Sequence, residues 1–250
     1  MYSEVQPAAM TTAISSSAIA HDFEFAALEE AINYRDALCR EFRDYLKGEV
    51  LEVGAGVGHM TECIAQLSSV RALTCVEPDS GYCAYHRRKF PDLRLIEGTA
   101  KDIPSNSHFD SLLSVNVLEH IGDDEEELKR YAGFLRANRG ALCLFVPARP
   151  EIYAPIDRDF GHFRRYTWSD LKRKLVNAGF RVLTLRYYNF AGYAAWWLNF
   201  CVLQRRSFDA RSVRFFDRVI FPIVHTVESR IVRPPFGQSL IAIACQEGTD

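Results

Sequence analysis

An α/β protein with a seven-stranded, mostly parallel sheet and helices on both faces is the fold class that this chain of 250 residues predicts. Three observations carry it. Short apolar runs alternate with amphipathic segments of helical period, the order that builds right-handed βαβ units. The first of these runs passes straight into glycines at 54, 56 and 58. The second closes on an acidic residue, Glu77, 19 positions beyond Gly58. A composition of 48% hydrophobic and 25% charged residues excludes disordered and fibrous alternatives and supplies a large core.

The elements follow in order. Residues 1–20, rich in Ser, Thr and Ala, form a flexible tail, and 21–47 an N-terminal helical cap. In the cap Phe25, Leu28, Ile32, Leu38, Phe42 and Leu46 recur at helical spacing, and Gly48 reads as its C-cap. A strand at 50–53 leads through the glycines into a helix over 59–67. The next strand, 72–76, stops at Glu77-Pro78-Asp79, and a helix follows over 82–90. Strands at 93–97 and 109–115 precede a charged helix over 124–137 and a strand at 141–146. Thr167-Trp168-Ser169-Asp170 starts a helix that ends at Gly179, and the sixth strand spans 181–187. Residues 189–236 read as an aromatic, Arg-rich helical insertion. The chain then returns with 237–250 to the same domain, its last strand at 238–245.

Net charge is −2, which gives no basis for wholesale nucleic-acid binding. The sum hides an asymmetry: 14 basic against 23 acidic residues over 1–148 give −9, and 16 against 9 over 149–250 give +7. Arg outnumbers Lys 24 to 6, and Arg is the better residue for bidentate contacts with carboxylate or phosphate. Cysteines at 39, 63, 75, 83, 143, 201 and 245 make no C-x-x-C pair and read as reduced, mostly buried thiols. The apolar run 190–203 is too short to span a bilayer, and the N-terminus lacks a basic, then apolar, leader. These features predict a cytoplasmic protein without a transmembrane segment.

A strand that ends in Glu52-Val53-Gly54-Ala55-Gly56-Val57-Gly58 needs glycine so that the backbone can turn tightly and approach a ligand. The dinucleotide fingerprint G-x-G-x-x-G would require glycine where His59 stands, which disfavours a nicotinamide oxidoreductase. Glu77 ends the second strand, where a carboxylate can accept two hydrogen bonds from a ribose diol. A nucleoside is implied, with no demand for a pyrophosphate.

The sequence resembles the class I S-adenosylmethionine (SAM) methyltransferases over about 48–185, in a subgroup similar to methyltransferase types 11 and 12. VLEVGAGVGHMT looks like their first motif, VEPD their ribose-binding acid, EGTAKDIP their adenine loop and FDSLLSVNVLEHIGD their strand-four motif. The resemblance implies a Rossmann-like SAM-binding domain over 48–188. It places Glu52, Gly54, Gly56 and Gly58 by the methionine moiety, Glu77 and Pro78 at the ribose, Thr99 and Ala100 by the adenine, and Asn116 and Val117 on the sulfonium side. Thr99 stands where the adenine loop usually carries Asp. The segments NYRDAL (33–38), VPARPEIYAPIDRDFGHFRRYTWSDL (146–171) and PPFGQSLIAIA (234–244) resemble methyltransferases found near cell-envelope glycan or natural-product genes.

Candidates for the acceptor side are His120, after strand four, and Tyr153, His162, Arg165 and Tyr166, after strand five. His120 could act as a base. Arg165, with Arg164, could form a basic rim for an anionic acceptor, unless the pair latches the two halves of the chain together. Tyr34 could cover the sulfonium by cation–π attraction or be a plain core aromatic. Trp196 and Trp197 read as core. The leading function is methyl transfer from SAM to a small or carrier-bound polar acceptor, in which alignment does most of the work and no metal is required. The alternatives are a SAM cyclase or lyase, in which the aminobutyrate amino group displaces methylthioadenosine and closes a small ring, and a catalytically silent module pairing through 189–236. That insertion is also a candidate homodimer surface.

Overall fold

Strands that are apolar throughout have two faces to bury, and the two-residue period sends neighbouring side chains to opposite sides of the sheet. A computed structural model, which describes residues 30–207, 209–230 and 234–247, shows the result. The tail, the first part of the cap and the last three residues lie outside the described residues. In chain order the elements are α1 (Ile32–Phe42), β1 (Gly48–Val53), α2 (His59–Ala65), β2 (Val70–Glu77), α3 (Ser80–Lys89), β3 (Arg94–Glu97), β4 (Ser111–Val115), α4 (Asp124–Phe134) and β5 (Ala141–Pro147). There follow α5 (Pro155–Asp159), α6 (Trp168–Asn177), β6 (Phe180–Tyr188) and α7 (Phe190–Trp196), which continues as a π-helical turn over Trp197–Val202. Helix α8 (Ala210–Phe215) passes through a second π turn, Phe216–Ile220, into α9 (Phe221–Arg230), and β7 (Ser239–Gln246) closes the sheet.

The strand order is β3-β2-β1-β4-β5-β7-β6, with β7 antiparallel to both of its neighbours and the other pairings parallel. Leu51, Leu112, Leu142, Leu144, Leu240 and Ala242 face the side covered by α4 and α6. Their neighbours Val50, Leu113, Cys143, Phe145, Ile241 and Ile243 face the side covered by α1, α2 and α9. The order reverses between β1 and β4, which opens a crevice at the carboxyl ends of the strands.

Local signals read from the sequence hold at several starts and stops. Asp79 caps α3 by accepting from the Tyr82 amide at 2.9 Å, Thr167 caps α6 through the Asp170 amide at 3.1 Å, and Gly179 takes φ +87° beyond its end. Gly48 does not cap the first helix, which stops at Phe42. It opens β1 with φ +68°, and a Cβ there would lie 2.0 Å from Asp110 Oδ2. Trp196 is core, its indole donating to Ile152 O at 3.1 Å, whereas Trp197 is half exposed.

The cysteines also need correcting, because Cys39 on α1 and Cys63 on α2 form a disulfide. Their 24-residue separation carries no motif; only the packing of α1 on α2 brings them together. Cys75, Cys83 and Cys143 are buried free thiols, and Cys201 and Cys245 are half-buried ones.

Helix α1 lacks a side-chain cap of its own at Ala31. Its cap comes from the second π turn, 184 residues on: the buried Asp217 carboxylate accepts from the Asn33 amide at 3.0 Å and the Tyr34 amide at 2.8 Å. The insertion therefore orders the helix that covers the crevice. Asp217→Ala should lower the unfolding free energy by about 1–2 kcal/mol, the cost of losing a charged cap on two partly buried amides. Amide exchange over 32–42 should quicken selectively in the variant, and unchanged exchange there would show that α1 is held by packing alone.

Candidate active site

The turn after β1 is built by backbone donors finding acceptors at the end of β2. Gly54 and Ala55 amides donate to Val76 O at 2.9 and 3.0 Å, and the Gly56 amide donates to Glu77 Oε2 at 2.8 Å. The other carboxylate oxygen of Glu77 accepts from the Asp79 amide at 2.9 Å. Glu77 thus ties the glycine turn to the start of α3 and still has lone pairs to offer a ligand. Its burial raises its pKa, and the two amides partly offset that rise. Gly54, Gly56 and Gly58 have φ of +75°, +53° and +85°. A Cβ at Gly54 would lie 2.3 Å from Val117 Cγ2, so the close approach of the two loops, as well as the turn, requires glycine.

Glu52 lies beneath this turn and is 3% exposed. Its Oε2 accepts from Thr61 Oγ1 at 2.6 Å, and Thr61 is in turn 3.2 Å from His86 Nε2. Burial pushes the Glu52 carboxyl up to about 7, against the pull of the Thr61 and Cys75 hydrogen bonds. His59, the residue at the fingerprint's third glycine position, is driven down to about 4 by burial and the nearby Arg35.

A cavity of about 510 Å³ opens here, lined by Glu52, Gly54, Glu77, Pro78, Asn116, Val117 and His120 from the strand ends, by Met60 from α2 and by Tyr34 from α1. A second cavity, about 550 Å³, lies under the insertion and is lined by Glu119, Phe160, His162, Arg165, Trp196, Phe200, Arg205 and Arg211 among others. Tyr34, Asn116 and Phe145 line both. Asn116 is held in this wall with φ +52° by its amide bond to Phe145 O.

Residues 50–138 match the family model described as a methyltransferase domain. The matched segment runs from β1 past the end of α4 and holds the glycine turn, Glu77 and Asn116. Among solved structures it is similar to a SAM-dependent methyltransferase from Clostridium acetobutylicum, with TM-score 0.56, 11% identity and coverage of 87% of this chain and 92% of that one. A SAM-dependent methyltransferase from Thermotoga maritima gives 0.59 and 15%, covering 92% and 97%, and one from Archaeoglobus fulgidus gives 0.53 and 16%, covering 84% and 93%. At these identities the likeness is one of fold. No curated protein matches the chain.

S-Adenosylmethionine is the expected cofactor of such a methyltransferase, and the first cavity fits it. The cavity offers two buried carboxylates, the Gly54-Ala55 part of the glycine turn, and apolar walls from Tyr34, Met60 and Phe145. Gly56, Gly58, Thr99 and Ala100 lie outside this lining. Thr99 caps a short helical turn, Ala100–Asp102, through a reciprocal bond with Asp102, and Ala100 is packed in the core. Asp79 and Tyr82 line the cavity instead, a contribution with no spacing signature in the sequence.

On the acceptor side the structure separates the candidates. His120 and His162 come together, their rings edge to face with centroids 4.6 Å apart. Tyr153 is a brace, its hydroxyl donating to His162 O at 2.7 Å. Tyr166 is fully buried away from both cavities and donates to Asp124 Oδ2 at 2.8 Å, so it is a strut between loops. The basic-rim reading divides, since Arg164 lines neither cavity and Arg165 lines the second. Arg164 is bound to Asp124 and to the carbonyls of Ile121 and Gly122, while Arg165 is 5% exposed and spends its Nε on Asp157 at 2.8 Å beneath the Trp196 ring. Asp157 was not singled out from the sequence. It holds His162 Nδ1 at 2.9 Å, Arg165 and the Ala154 amide at once, a cluster assembled by a turn with no advance signal in residue spacing.

Glu52 provides a pH test of the first cavity. Its folded-state pKa lies above the ordinary 4.5, so the folded state holds the extra proton between pH 4.5 and about 7. Stability contributed by this group is therefore full below pH 4.5, falls as pH rises to about 7, and stays low above. Glu52→Gln keeps an acceptor for Thr61 and removes the charge. The ligand-free variant should be more stable than wild type at pH 8, by about 2–3 kcal/mol, and equal to it at pH 4. Thermal melts at the two pH values check this; equal stability at pH 8 would mean that Glu52 ionises without penalty.

Proposed function

We propose that the protein transfers the methyl group of SAM to a small, polar, anionic acceptor, free or carried on a larger group, held in the second cavity. The observation that carries this reading is the shared wall of Tyr34, Asn116 and Phe145: two cavities, each of a size for a small ligand, meet at one narrow seam. Bound SAM supplies an electrophilic methyl group on a sulfonium. Glu77 would hold the ribose diol, and Glu52 the amino group of the methionine moiety, which would in turn keep the Glu52 carboxylate ionised. The Tyr34 ring would face the sulfonium, its orientation set by edge-on contacts to Phe145 and Tyr188 at 6.3 and 5.7 Å. Phe160, Trp196 and Phe200 would exclude water from the acceptor, which strengthens every polar contact inside. Fixing two reactants across a seam supplies alignment, the main requirement of an in-line displacement.

The acceptor's charge is inferred from Arg205 and Arg211. Both line the second cavity, and neither forms an ion pair among the described residues. Two nearby acids are already engaged, Asp217 by α1 and Asp209 by the start of its own helix. The second cavity also favours transfer over ring closure, because a cyclase acting on SAM alone has no use for a second site of that volume.

Incubation with SAM alone should leave it intact, and S-adenosylhomocysteine should appear by mass spectrometry only with a panel of carboxylate- or phosphate-bearing acceptors. Methylthioadenosine from SAM alone would replace this reading with the cyclase. Glu77→Ala should weaken SAM binding by about 1.5–3 kcal/mol in titration, through loss of charge-assisted bonds. Arg211→Glu should raise the acceptor KM with the melting temperature unchanged, and an unaltered KM would remove the anionic acceptor.

A further inference from the structure

Three side chains that neither the sheet nor the glycine turn uses converge beside the seam. Glu119 and His120 stand on the short helical turn Leu118–His120 after β4, and His162 on the bend after α5. The two loops are clamped by the Phe163 amide, which donates to Glu119 O at 2.8 Å. One ligating atom from each of the three residues lies within 4.8 Å of the others. His120 faces the first cavity, and Glu119 and His162 face the second.

His162 supplies the second observation. The Asp157 carboxylate accepts from Nδ1 at 2.9 Å, which fixes the tautomer and leaves the lone pair on Nε2. Its side chain is only 6% exposed, and Nε2 has no hydrogen-bond partner. A buried imidazole oriented by a carboxylate, with its other nitrogen bare, is the arrangement that metal-ligating histidines adopt.

We propose that Glu119, His120 and His162 form a site for one divalent transition cation of the Zn²⁺ type. Two imidazoles and a carboxylate are a recurrent donor set for such ions, and three protein ligands leave a position open. Ligands about 2.0–2.1 Å from a tetrahedral ion sit about 3.3 Å apart, so shifts of at most about 1.5 Å in the side chains bring the cluster, whose atoms lie within 4.8 Å of one another, to ligating distance. The open position faces the acceptor cavity, an assignment that rests on the function proposed above. An acceptor hydroxyl or amine coordinated there loses its proton to solvent and keeps the bonding pair as a lone pair. Nothing is oxidised or reduced. The reaction class runs without a metal, and the cation here acts on the acceptor only, replacing a side-chain base.

The test uses the full chain, stripped with chelator and titrated with Zn²⁺ alone and with Co²⁺ alone, and is read by calorimetry and visible absorption. The expected result is one equivalent per chain at low-micromolar affinity or tighter, with d–d bands for Co²⁺ and no thiolate charge-transfer band. His162→Ala and His120→Ala should each abolish uptake, and SAM titration of His162→Ala, whose side chain lines only the second cavity, should remain normal. Glu119 is wholly buried and its variants can misfold, so the two histidine variants carry the test. No stoichiometric uptake by wild type, uptake with a thiolate band, or full uptake by His162→Ala would each overturn the site. Metal uptake without any methyl transfer would instead count against the proposed function and leave the site standing.

Discussion

The Glu77 carboxylate sets the geometry on which the rest of the site depends. It is nearly buried, it binds the Gly56 amide with one oxygen and the Asp79 amide with the other, and beside it Val76 O receives two further amides of the same turn. Hydrogen bonds to a charged group contribute roughly 1.5–3 kcal/mol each, enough to hold a turn of three left-handed glycines in one shape. From that shape follow the start of α2, the start of α3 and the cover over Glu52. The same carboxylate faces the cavity, so the residue that builds the loop is also available to read its ligand.

The second constraint is closure. The crevice left by the strand-order reversal is open at its top, and two segments far apart in sequence cover it: α1 and the insertion that runs from α7 through α9. Asp217 capping α1 joins them, as do the Arg214–Glu30 ion pair at 2.6 Å and the aromatic contact of Tyr34 with Phe221. The Arg186–Glu41 pair, also at 2.6 Å, ties α1 to β6. Among the described residues five ion pairs join the basic second half to the acidic first: Arg164 and Lys174 with Asp124, Arg173 with Glu125, Arg186 with Glu41 and Arg214 with Glu30. Arg165 pairs instead with Asp157 of its own half, and Arg205 and Arg211 line the second cavity with no ion pair among the described residues.

The fold was legible because its signals are local. Apolar runs with a period of two, capping residues such as Asp79 and Thr167, and glycines where φ must be positive each act within a few residues, and strand ends mostly moved by only one or two positions. Much of the first cavity was legible for the same reason. Glu52, Gly54, Glu77 and Asn116 sit at or just beyond the ends of strands, where the register of a parallel sheet sends them to one crevice. Gly48 shows the limit of local reading: its positive φ was sensed as a helix end, but Asp110 on the far side of β1 is what requires glycine there.

The sequence by itself determined the α/β class, the order of the strands and the carboxylates and turn at the edge of the first cavity, because each follows from short-range periodicity and backbone sterics. Only the tertiary structure decided the pairing of Cys39 with Cys63, the burial of Tyr166 and Arg165, the seam at Tyr34, Asn116 and Phe145, and the meeting of His120 with His162. The disulfide depends on α1 packing on α2, and the others on how loops after β4 and β5 and an insertion beyond β6 fold back over the sheet. Distances between residues 24 to 184 positions apart are set by packing, and no spacing along the chain encodes them.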